Sequence, residues 1–355
     1  MVRIVYGVSG EGSGHASRAR VMARHLLDSG HEVKMVSYDR GYRDLADEFD
    51  VFETEGLEIS SQDNQVSMVK TFTDNLKKLP EGHRRLRALR HELFRDFQPH
   101  CVITDFEPMT AYLAQHYQLP LISLDNQHRM RYLAYDCPPW LRKDRVVTET
   151  VIRAMVPKPD VSLVISFHLG QPENNHTFVF PPILKRDVLQ AEPQIGDAIL
   201  VYLTSGFDPF LDILKQFPRE RFLVYGYNRE AVEGPLHFRS FSQTGFLQDL
   251  AACKAVVATA GFTLLSEAFH LKKPYLALPM KGQFEQELNA FQIQQLGYGK
   301  CVRDPSSEAV GDFLYRLPDY RERLQDYVSS DSTEIKAKLD QLLADDLKLL
   351  KEYML

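Results

Sequence analysis

Residues 255–286 read AVVATAGFTLLSEAFHLKKPYLALPMKGQFEQ. A short apolar run, Ala255 to Thr259, ends near Gly261; a helical segment follows, and a second apolar run, Tyr275 to Leu278, closes the unit. Strand, glycine turn, helix and strand in that order build a parallel sheet, because parallel neighbours need a crossover between them. A glycine that opens a helix also leaves its first N–H groups uncovered at the positive end of the dipole. Phe262, Thr263 and Leu264 can therefore receive a diphosphate there. Glu267, on the helical face of Thr263 one turn on, is acceptor-only. That suits the paired hydroxyls of a ribose; the alternative is a solvated helix glutamate. The loop that follows, with Glu285 and Gln286, supplies polar side chains able to address sugar hydroxyls.

Working outward, strands at Ala198 to Leu203 and Phe222 to Tyr225 extend this sheet. A second series of the same kind occupies the first half. It begins with a strand at Val2 to Val8 and a helix with Ala19, Met22, Ala23, Leu26 and Leu27 on one face, closed by Gly30. Strands follow at Glu32 to Tyr38, Cys101 to Thr104 and Leu121 to Leu124, with a helix near Pro108 to Tyr117. Two further helices are expected at Asn64 to Leu79 and His83 to Phe97, separated by Pro80, Glu81 and Gly82. With 355 residues, two cores are the natural division. The expected fold is α/β, two Rossmann-like domains with parallel sheets. The proline-bearing stretch Asp136 to Pro159 is expected to be the least regular, with the boundary near its end. The domains are then 1–157 and 158–331, followed by an amphipathic helix over 332–355. That helix carries Ile335, Leu339, Leu342, Leu343 and Leu347 and needs a surface to cover; the first domain is the candidate.

The first strand runs into Gly7-Val8-Ser9-Gly10-Glu11-Gly12-Ser13-Gly14-His15. The spacing departs from GxGxxG, and no convincing acid ends the next strand, Asp39 coming nearest; a dinucleotide is the weaker reading. His15 stands where loop becomes helix, at the carboxyl edge where open α/β sheets bind ligands. There it can take a proton from a hydroxyl. A capping or core role is the alternative, which the glycine setting disfavours. Asp105, directly after its strand, either orients the His15 ring or caps the helix that begins at Pro108. Asp105 and Glu107 are two acids on one loop, too few for a metal site, and no metal is expected.

The net charge is -6 and the pI near 6.1, which gives no general attraction to nucleic acid. Four scattered cysteines, Cys101, Cys137, Cys253 and Cys301, suit free thiols in a reducing compartment. The N-terminus reads as a strand, and the apolar runs fall short of a bilayer span. A cytoplasmic location is expected. Basic residues Arg129, Arg131, Arg142, Lys143 and Arg145 lie among Tyr132, Tyr135 and Trp140, near the arginine-rich His83 helix. Such interleaving either seats a protein on an anionic membrane or forms an ordinary solvated face.

The stretch GFTLLSEAFHLKKPYLALPMKGQFEQELNAFQIQQLGYG, residues 261–299, resembles the donor signature of GT-B glycosyltransferases, most closely the family 28 enzymes such as the peptidoglycan N-acetylglucosaminyltransferase. That resemblance implies two domains facing across a cleft. It places Gly261, Phe262, Thr263 and Leu264 on a diphosphate, Glu267 on the ribose, and Glu285 and Gln286 on the donor sugar. Thr204-Ser205-Gly206 looks like the family's second phosphate loop. Phe241 to Phe246 looks like its base-reading stretch, acting through main-chain groups. Ser9 to His15, including Gly14, is similar to its acceptor-facing glycine loop. Glu285 stands where the family has glutamine, and Gly206-Phe207 replaces a glutamine-containing loop, so the donor sugar stays open. The resemblance further implies a UDP-linked sugar as co-substrate, inversion at the anomeric carbon, no metal or other cofactor, and an acceptor that is a glycan, glycolipid or small molecule. A nucleotide-sugar 2-epimerase and a non-catalytic nucleotide-sugar binder remain the alternatives.

Overall fold

A computed structural model describes residues 1–56, 61–62, 65–66, 79–204 and 206–354 of the chain. The chain divides into two compact units. The first runs as far as Lys185, apart from Gln62–Val66, and takes back Ser330–Leu355; the second is built on Arg186–Ser329 and includes Gln62–Val66.

The first unit holds β1 (Arg3–Val8), β2 (Glu32–Ser37), β3 (Val51–Glu53), β6 (Cys101–Asp105), β7 (Leu121–Asp125), β8 (Val161–Ile165) and β9 (Thr177–Phe180). The short strands β4 (Ser61–Gln62) and β5 (Gln65–Val66) form a ladder of their own. The seven-stranded order is β3-β2-β1-β6-β7-β8-β9, with parallel pairing throughout. Strands β6, β7 and β8 are buried along their whole length, as a parallel sheet covered on both faces requires. Val5, Val36, Val102, Leu121, Leu89, Leu93 and Phe94 form one layer of that core.

The second unit repeats the plan with β10 (Ala198–Tyr202), β11 (Arg221–Tyr225), β12 (Ala231–Glu233), β13 (Leu236–Phe238), β14 (Ala255–Ala258), β15 (Tyr275–Ala277) and β16 (Gly299–Cys301). Its order is β12-β13-β11-β10-β14-β15-β16. Only the edge pair β12 and β13 is antiparallel among these pairings. In each sheet the first strand is central and the order reverses beside it, between β1 and β6 and again between β10 and β14. Loops diverge at such a point and open a crevice at the carboxyl edge.

Several sequence expectations change. The boundary expected between residues 157 and 158 falls between Lys185 and Arg186, because β8 and β9 complete the first sheet. The stretch expected to be least regular holds a helix, Arg142–Met155. Its prolines bracket that helix, since proline is tolerated before and just beyond helix ends. Pro80, Glu81 and Gly82 lie within the helix Leu79–Leu89, which a π-helical segment, Arg90–Asp96, follows. The helix expected from Asn64 begins instead with strand at Gln65–Val66, and its continuation over 67–78 lies outside the described residues.

The C-terminal segment is a helix, Thr333–Leu343, then a short turn and a second helix, Lys348–Glu352. It buries Ile335, Leu339, Leu342, Leu343 and Leu347. Asp340 Oδ1 lies 2.8 Å from Nε2 of His25 on the helix Ser13–Asp28, which ties the segment to the first unit. No helix among the described residues is long and apolar enough to cross a membrane.

Candidate active site

At the switch point of the first sheet, β1 leads through Ser9–Gly12 into the helix Ser13–Asp28, and β6 ends on Asp105. Val8 and Asp105 are register partners, and the Ser9 N–H donates to the Asp105 carbonyl at 3.0 Å. This clamps the two loops together. Gly10 is required by packing, because a Cβ there would stand 2.1 Å from the Tyr38 carbonyl oxygen. The loop thus delivers His15 to the edge with its ring beside Asp105.

His15 Nδ1 lies 2.7 Å from Asp105 Oδ1. Asp105 is fully buried, and burial alone drives a carboxyl's proton affinity up. The charge of Arg18, together with the hydrogen bonds from His15 and Arg18, outweighs burial and holds Asp105 below the ordinary carboxylate range. It is therefore a carboxylate and an acceptor only, so Nδ1 of His15 carries the proton that faces it. Of the two positions open to Asp105, its carboxylate stands beside the His15 ring and not at the cap of the helix that begins at Pro108. The helix cap at Pro108 is Glu107, whose carboxylate accepts from the N–H groups of Met109 (2.9 Å) and Thr110 (2.7 Å) and from Thr110 Oγ1 (2.6 Å). Burial pushes the Glu107 carboxyl up.

Three further residues belong to this cluster. Arg18 is 4% exposed. It donates through Nε to Asp105 Oδ2 (2.6 Å), through Nη2 to Asp105 Oδ1 (2.5 Å) and through Nη1 to Asn126 Oδ1 (2.8 Å). Gln127 Oε1 lies 3.4 Å from Arg18 Nη2, and Gln127 Nε2 lies 3.4 Å from His15 Nε2. The sequence carried a signal for each: Arg18 is three positions beyond His15 on one helical face, and Asn126 and Gln127 follow β7 at the same sheet edge.

The second unit presents its own carboxyl-edge loops, after β10, β13, β14 and β15. Gly261 stands at the N-cap of the helix Phe262–His270 with no side chain to offer its first N–H groups. The turn is fixed from behind, by Tyr275 Oη on the Thr259 carbonyl (2.7 Å) and by Asn289 Nδ2 on that of Ala260 (2.8 Å). The φ of Gly261 is -70° and a Cβ there would meet nothing within 4 Å. The fold itself therefore gives no reason for glycine. Thr263, Leu264 and Glu267 are partly exposed beside it, while the Phe262 side chain is buried.

The other expected donor residues divide. Gln286 Oε1 accepts from the Met280 N–H at 3.1 Å, which ties the side chain to the β15 loop through its oxygen; Glu285 beside it is partly exposed. Gly206 sits in the β10 loop with φ of 106°; Ser205 lies outside the described residues. In the stretch expected to read a base through main-chain groups, the Phe246 N–H is bonded to the Ser242 carbonyl at 2.8 Å. Its ring packs edge-on against Tyr202 and Tyr225, with Phe241 tilted on it at 5.7 Å. Phe241 is 52% exposed. Of the basic residues near Trp140, Arg129 is buried over Phe167, and Arg145 covers Tyr135 and pairs with Glu149. Arg142 and Lys143 remain exposed.

Two parallel-sheet domains, each with a glycine loop at its switch point, define the class of GT-B glycosyltransferases. The family model described as Glycosyl transferase family 1 matches residues 2–318, and the chain belongs to that family; it is a glycosyltransferase. A protein of Methanosarcina acetivorans described as an uncharacterized glycosyltransferase is 24% identical over 91% of this chain and 93% of its own. The calicheamicin glycosyltransferase CalG4 shares the fold with a TM-score of 0.69 at 16% identity, over 97% of this chain and 99% of that one. The Streptomyces sp. SF2575 glycosyltransferase SsfS6, solved with thymidine diphosphate, superposes with a TM-score of 0.58 at 16% identity, over 96% of this chain and 100% of that one.

Proposed function

We propose that the protein moves a glycosyl group from a pyrimidine nucleoside diphosphate sugar to an acceptor hydroxyl by a single displacement with inversion. The observation that carries this reading is the His15–Asp105 pair, with Nδ1 held at 2.7 Å and Nε2 left to act as a base. In the reaction Nε2 takes the acceptor proton while the acceptor oxygen bonds to the anomeric carbon. The bond from that carbon to the phosphate oxygen breaks, and its electron pair leaves on the diphosphate. Base catalysis of this kind contributes about 10²- to 10⁴-fold.

The second unit supplies the donor grip. N–H groups of Phe262, Thr263 and Leu264 meet the diphosphate and the charge that develops on it. Glu267 takes the ribose hydroxyls, and Glu285 lies toward the sugar. The exposed Phe241 ring, with Tyr202 and Phe246, offers the base a stacking face. SsfS6 supports a nucleoside diphosphate through its bound thymidine diphosphate, and the likeness of residues 261–299 to family 28 enzymes supports uridine. A Glu267 that grips two ribose hydroxyls favours UDP, because thymidine lacks one of them.

Metal independence is part of the proposal. Both acids of the Asp105–Glu107 loop are already committed, one to Arg18 and His15, the other to a helix cap, and the helix N-terminus supplies positive potential for the diphosphate. The same commitment of Glu107 disfavours a 2-epimerase, which needs further carboxylates. The test incubates the protein with UDP-glucose, UDP-N-acetylglucosamine and dTDP-glucose against a panel of hydroxyl acceptors, with and without EDTA. Acceptor-dependent release of nucleoside diphosphate that survives EDTA and is lost in H15A supports the reading; release unaffected in H15A contradicts it.

A further inference from the structure

The His15–Asp105 pair does not stand alone: a buried guanidinium touches both members. Asp105 has no exposed surface and Arg18 almost none. The Arg18 fork spans both Asp105 oxygens, at 2.6 and 2.5 Å, so the carboxylate cannot rotate without breaking two charge-assisted bonds. Arg18 Nη2 also lies 2.8 Å from His15 Nδ1. Arg18 has only donors and Asp105 only acceptors. Nδ1 can therefore donate to the carboxylate or accept from the guanidinium, but not both. The carboxylate is the closer partner, 2.7 Å against 2.8 Å, and a buried ionised acceptor gains most from a further donor, so Nδ1 donates to Asp105. Nε2 is thus the nitrogen with the lone pair.

The charge count leads the same way. With His15 neutral, the Arg18–Asp105 pair cancels; without Arg18 a bare buried carboxylate faces the imidazole, and an unpaired buried charge draws a proton onto its neighbour. Among the described residues, the other groups that act on the cluster include Asp125 at the end of β7, whose charge acts on Arg18 and whose carboxylate lies 2.7 Å from His128 Nδ1, and Tyr6 on β1, which burial keeps neutral. Neither replaces the guanidinium.

We propose that Arg18 is a positioning residue for the base: it cancels the Asp105 charge and fixes the carboxylate so that His15 stays neutral, protonated on Nδ1, with the Nε2 lone pair available. Through Asn126 and Gln127 it also sets the β7 loop, placing the Gln127 amide beside Nε2 where an acceptor hydroxyl must arrive. The proposal rests on the reading of His15 as the base.

The test reads the His15 ring directly, by ¹⁵N chemical shifts in the labelled full-length protein at neutral pH, with the signals assigned by their loss in H15N. In the wild type one nitrogen, Nδ1, carries the proton. In R18M both nitrogens are protonated, while R18K, which keeps the charge, returns the neutral ring. R18Q gives the same reading as R18M should R18M fail to fold. Affinity for UDP, measured by calorimetry, stays within about twofold of wild type in every variant, the donor grip lying in the other unit. A ring in R18M or R18Q with the wild-type signature overturns the proposal, as does a wild-type ring protonated on Nε2. Turnover of H15A is measured beside it: retained turnover ends the reading of His15 as the base and leaves the Arg18 result to stand on the ring signals alone.

Discussion

A carboxylate as deeply buried as Asp105 is costly unless its charge is met, and here Arg18 and His15 meet it. Replacing Asp105 with Asn leaves the Arg18 guanidinium buried and uncompensated, a loss of about 3–5 kcal/mol. D105N should therefore unfold at distinctly lower urea than wild type, and its turnover should fall as well. The same residue sets a pH dependence. Its folded affinity for protons lies below the unfolded value near 3.8, so between the two the unfolded chain binds more protons. Stability from Asp105 is complete above that unfolded value and is lost as pH falls through the folded one. Urea titrations between about pH 5 and pH 2 should show this loss in wild type and a flatter response in D105N. His15 was legible from its glycine setting, whereas Arg18 and Gln127 had only weak signals, helical spacing and a place after β7, because their role depends on β6 and β7 lying beside the first helix. Spacing along one chain segment does not report such neighbours.

Among the elements, the two glycine turns prove to differ in kind. Gly10 is needed by the fold: a methyl there strikes the Tyr38 carbonyl, and G10A should cost about 1–3 kcal/mol, seen as a lowered Tm. Gly261 has open space and an ordinary φ. G261A should keep the wild-type Tm yet bind a nucleoside diphosphate about tenfold more weakly, a change of about 1.4 kcal/mol by calorimetry. Unchanged affinity would remove the Gly261 turn from the donor site. Long apolar strands such as β1, β6 and β14 were readable because burial on both faces writes a continuous run. Among the three-residue strands, β15 is buried throughout and was readable, whereas β3, β12, β13 and β16 are only partly buried and write no continuous apolar run. The helix Arg142–Met155 was hidden by the prolines that flank it. Phe246 shows the limit on the site side: its aromatic contacts come from Tyr202 and Tyr225 on other strands, while its main-chain N–H disappears into a helix.

Over the whole molecule, the two units keep separate cores, and the chain returns at Ser330 to cover the first. Leu339 is fully buried in that returning helix, so L339A should cost about 2–5 kcal/mol in a scanning calorimetry trace while leaving nucleotide affinity unchanged. The boundary near Lys185 was not legible because β8 and β9 follow a proline-rich stretch that reads as a linker, and only their pairing with β7 assigns them. The central claim is that this glycosyltransferase draws on a pyrimidine nucleoside diphosphate sugar held at the Gly261 turn. Titration calorimetry of the full chain with UDP, dTDP, GDP and ADP tests it most directly. The account predicts saturable binding of UDP, ahead of dTDP, in wild type and H15A alike, weakened in G261A and E267A; no binding of any of the four, or binding indifferent to both substitutions, would contradict it.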